Sequence, residues 1–263
     1  MKETHLGRET RIKAVQAVPE LDSYIKNPEG NGWYFGAGDP EMWKYQKELL
    51  VPGGKVLDLG IGDGRSSMFF AMNDMEVHGI DTNRRMTAEL DPIIESGVPI
   101  KITHGDFTTT PIEKGAYDTV IMGHSLVHAD SQESALTALE SAVEAVKPEG
   151  HVWLRTTGKM SSGYEDLKDQ AQFDHQVEQI DEDTFEIPCG CSGEMQREKV
   201  LFMDPIQTMA FFTQNGMEIV HSEVLPKQEL WQDNVMYGED VMTPHEVGGT
   251  ISILAKKQKA TDI

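Results

Sequence analysis

From Lys55 onward the chain alternates between short apolar runs and stretches whose apolar residues recur every three or four positions. Lys55–Leu59 predicts a strand, Gly60-Ile61-Gly62-Asp63-Gly64 a tight loop, and Arg65–Asn73 a helix. Glu76–Ile80 reads as the next strand and stops at Asp81; Met86, Leu90, Ile93 and Ile94 then share one helical face before a strand at Ile100–Thr103. Tyr117–Met122 is a fourth strand. Ser131 caps a helix carrying Leu136, Leu139, Val143 and Val146, closed by Lys147-Pro148-Glu149-Gly150, and His151–Thr156 is a fifth strand. Such alternation predicts an α/β fold, doubly wound, with a mostly parallel sheet and helices on both faces.

Both ends depart from this rhythm. Ile12, Val15 and Val18 recur at helical spacing before Pro19, and a short piece holds Tyr24 and Ile25. A Gly-, Asn- and Pro-rich loop follows with Trp33, Tyr34 and Phe35 in succession. Asp39-Pro40 then looks like an N-cap and first helical residue, leading into a helix with Met42, Tyr45 and Leu49 on one face. Residues 1–50 thus read as a helical lid on a domain of residues 51–263. Between Gly158 and Met203 a helix around Tyr164–Ile180 is expected, then two strands joined by a Gly-rich turn, a cap-like insertion at about 159–203. Asp204-Pro205 restarts a helix that Gly216 stops, and Met217–Val224 and Thr250–Ala255 are the last strands. The long polar loop between them carries Trp231 and Tyr237; loops of that length are more often functional than idle.

Composition narrows the function. With 263 residues and 38% hydrophobic positions the chain can bury a large core. Forty-four acids against 23 Lys and Arg give a formal charge of −21, which argues against nucleic acid and anionic membranes as partners. The same charge helps steer a cationic ligand, or simply keeps a solvated surface soluble. No apolar run is long enough to span a membrane, the start lacks a secretion signal, and two Cys suit a reducing compartment, so a cytoplasmic location is expected. Cys189 and Cys191 supply two ligands where zinc usually takes three or four from the protein, and His175 and His221 stand at no telling spacing, so no metal is expected.

The sharpest chemistry is Val56-Leu57-Asp58-Leu59-Gly60-Ile61-Gly62-Asp63-Gly64-Arg65. Glycines directly after a buried strand permit a tight turn and close approach of a ligand, with helix-start amides facing an electron-rich group. Asp81, 21 residues after Gly60 at the end of the second strand, is placed to grip the two hydroxyls of a ribose. An adenosine-containing ligand follows. The dinucleotide fingerprint would need a third glycine where Arg65 stands, and the spacing here is GxGxG instead.

At this point the chain resembles the class I S-adenosylmethionine-dependent methyltransferases over roughly Val51–Thr157. VLDLGIGDGR resembles that family's first motif, which implies cofactor contacts from Asp58, Gly60, Ile61, Gly62 and Gly64. VHGIDTN resembles the second, with Asp81 at the ribose position and Thr82 where the family more often has an apolar residue against adenine. HGDF resembles the third: Asp106 matches the acceptor for the adenine amino group and Phe107 lies beside it. AYDTVIMGHSLVH resembles the fourth-strand segment, adding Gly123, and VKPEGHVWL the fifth, with Glu149 where Gly is commoner. The resemblance implies a seven-stranded Rossmann-like sheet whose last strand, TISILAKK, runs antiparallel, and S-adenosylmethionine as cofactor.

The acceptor side is read from single residues. His124 and His128 follow the fourth strand, and either could take a proton from an acceptor; packing is an equal reading for His128. Arg155 could clamp a substrate carboxylate or pair with a nearby acid. Trp33, Tyr34 and Tyr45 could close over the cofactor and acceptor by cation–π contact, or simply pack the N-terminal helices. The fourth strand ends in Met-Gly-His-Ser, without the Asn/Asp-Pro-Pro-aromatic element of amino-methylating DNA enzymes, which points to a small-molecule acceptor. A protein methyltransferase, a non-catalytic cofactor-binding module and a nicotinamide oxidoreductase are the competing classes. Oligomeric state has no sequence signature here.

Overall fold

The computed structural model describes residues 5–17, 40–159, 162–173, 177–189, 196–225 and 250–259. Val18, Tyr24, Ile25, Trp33, Tyr34, Phe35, Asp39, His175, Cys191, Trp231 and Tyr237 lie outside the described residues. The strands are β1 (Lys55–Leu59), β2 (Glu76–Asp81), β3 (Ile100–His104), β4 (Tyr117–Gly123), β5 (Val146–Thr157), β6 (Glu178–Gln179), β7 (Thr184–Cys189), β8 (Gln196–Leu201), β9 (Met217–Leu225) and β10 (Thr250–Lys257). The main sheet has the order β3-β2-β1-β4-β5-β10-β9. β1 pairs in parallel with β2 and with β4, and β2 with β3, while β10 runs antiparallel to β9. Val56–Leu59 are buried without alternation, the signature of a strand covered on both faces.

Helices fill the connections: α1 (His5–Ala17), α2 (Pro40–Lys44), α3 (Gln46–Leu49), α4 (Arg65–Ala71), α5 (Arg84–Thr87), α6 (Asp91–Glu95), α7 (Gln132–Ala145), α8 (Ser162–Phe173) and α9 (Pro205–Gln214). The strands match expectation to within one to three residues except at β5, which is already extended from Val146. There Glu149 adopts a left-handed φ of 66° at the position where a glycine is commoner. The expected single helix through Met86 and Ile94 is broken by a 3₁₀ turn at Ala88–Leu90, because Pro92, at the start of α6, can neither donate a backbone hydrogen bond nor sit inside a longer helix. Leu90 and Ile93 are buried, whereas Met86 is exposed.

Two further apolar faces differ from their sequence reading. α7 buries an alanine stripe, Ala135, Ala138 and Ala142, beside Leu139 and Val143, and leaves Leu136 half-buried; small side chains let a helix lie close to its neighbour. Among the described side chains of α1, Ala14 is buried and Ile12 is exposed. The helix expected through Tyr45 is interrupted there, with Met42 and Leu49 fully buried on either side.

The chain divides into two compact units: Met1–Ile121 with Glu144–His151, and Met122–Val143 with Val152–Ile263. In the first, α4 buries Phe69 and Phe70, with Trp43 edge-on to Phe69 at 4.9 Å, and the Thr119 hydroxyl donates to Leu49 O at 2.8 Å. α1 packs on α6. In the second, the insertion forms a three-stranded antiparallel sheet, β6-β7-β8. Tyr164, Phe185 and Phe202 pack ring to ring beneath it at 5.3–5.8 Å, joined by Val127, Val177, Ile187 and Val200. The helix of this insertion ends at Phe173, short of the expected Ile180. Lys159 pairs with Asp183, and the Tyr164 hydroxyl donates to Glu182 O at 2.7 Å. Asp204 caps α9, its Oδ1 accepting from the amides of Ile206 and Gln207 at 2.8 and 2.9 Å.

Candidate active site

The loop between β1 and α4 is built by three left-handed glycines, Gly60, Gly62 and Gly64, with φ of 90°, 53° and 78°. Gly64 has a steric reason as well: a Cβ there would lie 2.5 Å from Leu90 Cδ2 in the core. Four of the loop's amides are already engaged. Gly60 and Ile61 donate to Ile80 O at 2.8 and 3.3 Å, and Gly64 donates to Ile61 O at 2.9 Å. Gly62 donates to Asp81 Oδ2 at 2.8 Å, and Arg65 to Asp63 Oδ1 at 3.3 Å. Of the helix-start amides singled out in the sequence as facing an electron-rich ligand, that of Arg65 is turned to Asp63 instead.

Asp81 is half-buried at the end of β2, and its second oxygen accepts the Asn83 amide at 2.7 Å. Asn83 in turn caps α5, accepting from the amides of Arg85 and Met86 at 3.2 Å. Each Asp81 oxygen thus holds one backbone amide and keeps lone pairs for further donors. Thr82 next to it is exposed. Beyond β3, Asp106 is exposed and its Oδ1 accepts both the amide and the hydroxyl of Thr108, at 2.8 and 2.7 Å, which turns the chain and leaves Oδ2 outside that turn. Phe107 is half-buried beside it.

Asp58 faces inward, 2% exposed, and accepts the Ser67 hydroxyl at 2.7 Å, tying β1 to the first turn of α4 across the loop. Burial pushes its carboxyl up from 3.8 to about 7, against the Ser67 hydrogen bond, with the carboxylates of Asp81 and Asp63 adding to the upward push. Sequence reading missed three supports of this loop. Gly79 in β2 leaves room for Ile61, since a Cβ there would sit 2.3 Å from Ile61 Cδ1; a glycine inside a strand is the available signal. Ser67 and Asn83 act through partners distant in the chain or through a cap, and only Asn83, as a polar residue before a helix, leaves a local trace.

In the second unit Gly123 ends β4, and His124 follows with a left-handed φ of 60°, buried, its amide donating to Arg155 O at 2.7 Å. Non-glycine residues held in that region occur where surrounding contacts enforce them, often at functional sites. His128 closes a 3₁₀ turn and is exposed. Arg155 lies within β5 at 3% exposure, and burial lowers its pKa to about 10, so it stays charged at neutral pH. In the first unit Tyr45 is half-buried with Lys44 Nζ 5.7 Å from its ring centre. Cys189 ends β7, and His221 in β9 sits 3.3 Å from a Glu223 carboxylate oxygen. None of the described helices is long and apolar enough to cross a membrane.

Comparison with known proteins agrees with this geometry. Residues 56–150 match the model of a family described as a methyltransferase domain. The ubiquinone biosynthesis O-methyltransferase of Chromobacterium violaceum is 32% identical over 126 residues, 45% of this chain and 50% of that enzyme, so the chain spans about half the length of this relative. An S-adenosylmethionine-dependent methyltransferase from Methanosarcina mazei superposes with a TM-score of 0.61 at 16% identity, over 84% of this chain and 99% of that one. The 1,6-didemethyltoxoflavin-N1-methyltransferase of Burkholderia thailandensis, solved with its namesake ligand and S-adenosylhomocysteine, gives 0.55 at 13% identity over 95% and 90%. At these identities the structures speak for the fold, and the match to a methyltransferase domain lies within residues 56–150.

Proposed function

We propose that the protein methylates a small-molecule acceptor by in-line displacement, with the β1–α4 loop and Asp81 holding the cofactor. The observation that carries this reading is the state of the loop. The amides of Gly60, Ile61, Gly62 and Gly64 are spent within the fold, and three carboxyl groups, those of Asp58, Asp63 and Asp81, cluster at it. A pyrophosphate would need free amide donors and would meet repulsion there; a ligand with a cationic sulfonium and an ammonium group suits the same surroundings.

S-adenosylmethionine, when bound, supplies an activated methyl group on a sulfonium centre. The residues of this chain bind and orient. Asp81, whose oxygens each retain acceptor capacity, would take the two ribose hydroxyls. Asp106 would accept the adenine amino group through Oδ2, with Thr82 and Phe107 flanking the base. Gly60, Ile61, Gly62 and Gly64 would line the cofactor, and Asp58 would act through Ser67, fixing the turn rather than touching the ligand. In the second unit Gly123 would border the cofactor, His124 or His128 would take the proton that an amine, hydroxyl or thiol acceptor loses, and Arg155 would hold an acceptor carboxylate. Trp33, Tyr34 and Tyr45 would form part of a lid excluding water. Alignment supplies most of the rate in such a displacement. The place of the Chromobacterium relative in ubiquinone biosynthesis and the 1,6-didemethyltoxoflavin bound by the Burkholderia enzyme support a small molecule over a protein.

The test has two arms. Titration calorimetry should show S-adenosylmethionine and S-adenosylhomocysteine binding and NAD not binding. Asp81→Ala should weaken the former at least tenfold, from the loss of about 1.5–3 kcal/mol of charge-assisted hydrogen bonding. Unchanged affinity in that variant, or binding of NAD alone, would refute the cofactor assignment. Screening amines, thiols, phenols and carboxylates for S-adenosylhomocysteine release then identifies the acceptor; turnover confined to peptide substrates would overturn the small-molecule reading.

A further inference from the structure

Asp58 is the one fully buried carboxyl group among the described residues, at 2% exposure. It lies in register with Gly79 of β2 on one side and Ile121 of β4 on the other, neither of which carries a charge. Ser67 of α4 is its one hydrogen-bond donor among the described residues, at Oδ2, which leaves Oδ1 without one. The charges that act on it are the carboxylates of Asp63 in the loop and Asp81 at the end of β2. No described lysine or arginine acts on it, and Arg65, the cation at the start of α4, is engaged by Asp63. A carboxyl group taken out of water, given one hydroxyl and set beside two negative charges holds its proton. Its pKa of about 7 agrees, so near neutral pH Asp58 is divided between acid and carboxylate.

We propose that Asp58 is a specificity-determining residue of the cofactor site, separating methyl donor from spent cofactor: S-adenosylmethionine binds with loss of the Asp58 proton to solvent, and S-adenosylhomocysteine binds without that loss. The inference rests on the cofactor assignment above. The two ligands share adenine, ribose, ammonium and carboxylate, and differ by one methyl group and one positive charge at sulfur. That charge, brought beside the loop, offsets Asp63 and Asp81 as Asp58 experiences them and favours its ionised form. At an effective dielectric of about 20, a unit charge about 10 Å away lowers such a pKa by about one. The carboxylic O–H bond breaks, the proton passes to the buffer, and the carboxylate keeps the Ser67 hydroxyl as donor. Affinity for S-adenosylmethionine therefore rises as pH passes upward through neutrality, and affinity for S-adenosylhomocysteine does not follow it. Acid conditions favour the spent cofactor, and alkaline conditions the methyl donor.

Calorimetry of each ligand with the full chain at pH 7, in phosphate and in Tris, counts the protons exchanged, because the two buffers differ in heat of ionisation. On binding S-adenosylmethionine the parent should release about 0.4 proton more than Asp58→Asn, and on binding S-adenosylhomocysteine no more than that variant. The ligands' ammonium groups titrate in both proteins and cancel. Relative to Asp58→Asn, the preference of the parent for S-adenosylmethionine over S-adenosylhomocysteine should rise about fivefold between pH 6 and 8. Ser67→Ala removes the hydrogen bond that favours the ionised form and should move the midpoint of that rise to higher pH. Carbon-13 NMR of the Asp58 carboxyl in the parent reads the same proton directly: its midpoint should fall with S-adenosylmethionine and stay in place with S-adenosylhomocysteine. Equal proton counts in parent and variant, equal counts for the two ligands, or an unmoved carboxyl midpoint would each overturn this inference and leave the cofactor assignment standing. Failure of both ligands to bind the parent at any pH would overturn both.

Discussion

The glycines of the first unit allow the backbone and steric parts of a substitution to be separated. Gly53, Gly62 and Gly64 all have positive φ, at 72°, 53° and 78°, so alanine at any of them carries a similar backbone penalty of about 1–2 kcal/mol. Their surroundings differ. A Cβ at Gly53 meets nothing within 4 Å, one at Gly62 meets only Met86 Cε at 3.3 Å, and one at Gly64 meets Leu90 Cδ2 at 2.5 Å. Met86 is exposed and its methyl can swing aside; Leu90 is fully buried and cannot move without repacking the core. Overpacking of that kind adds about 1–3 kcal/mol. Gly53→Ala and Gly62→Ala are therefore expected to lose about 1–2 kcal/mol and Gly64→Ala about 2–5 kcal/mol. Urea denaturation followed by tryptophan fluorescence and circular dichroism measures all three against the parent. Because the change in unfolded-chain entropy is common to the series, the difference between Gly64→Ala and Gly53→Ala isolates the contact with Leu90. If those two variants lose the same stability, the tight approach of the loop to Leu90 is wrong, and the packing account of the turn goes with it.

Two further stability measurements probe buried and strained positions. Asp58 has a folded pKa of about 7, above its unfolded value of 3.8, so the folded state holds its proton more tightly and loses stability as pH rises from about 4 through 7, by a few kcal/mol in all. Asp58→Asn, which keeps a group for Ser67 to bond, should be more stable than the parent at pH 8 with the gap closing toward pH 4; a gap independent of pH would show that Asp58 does not titrate as its burial dictates. Glu149→Gly removes a left-handed non-glycine residue at an exposed site, and should raise stability by about 1 kcal/mol and Tm by about 2–4 °C; a fall in Tm would mean that side-chain interactions of Glu149 outweigh its backbone strain.

The part of the site formed by contiguous residues is legible from the amino-acid order alone. The run Val56–Leu59 ahead of three glycines, and Asp81 ending the next apolar run, follow from strand burial and turn chemistry, and each stands where the spacing places it. The left-handed turn at Glu149 is visible as a missing glycine. What local pattern cannot report is partnership across the fold. Asp58 sits in the motif yet turns inward to Ser67, and Gly79 is small because of Ile61, two relations between segments that meet only once the sheet has formed. The alanine stripe of α7 escapes because periodicity weighs large apolar residues, while burial against a close neighbour favours small ones.

The internal consumption of the loop's hydrogen bonds bears on how such a site can be selective. A glycine loop that presents free amides gains affinity for any anion, whatever else the anion carries. Here the Gly62 amide is committed to Asp81 and the Arg65 amide to Asp63. The Asp63–Arg65 pair, at 2.8 Å, is locally neutral, which leaves Asp81 as the unpaired carboxylate at the loop. Asp81 therefore orders the turn before a ligand arrives and keeps acceptor lone pairs for hydroxyl donors, which lowers the entropy left to lose on binding. On the proposed reading, discrimination against an anionic dinucleotide adds to what Asp81 and Asp106 would recognise, because the Gly62 and Arg65 amides are already spent.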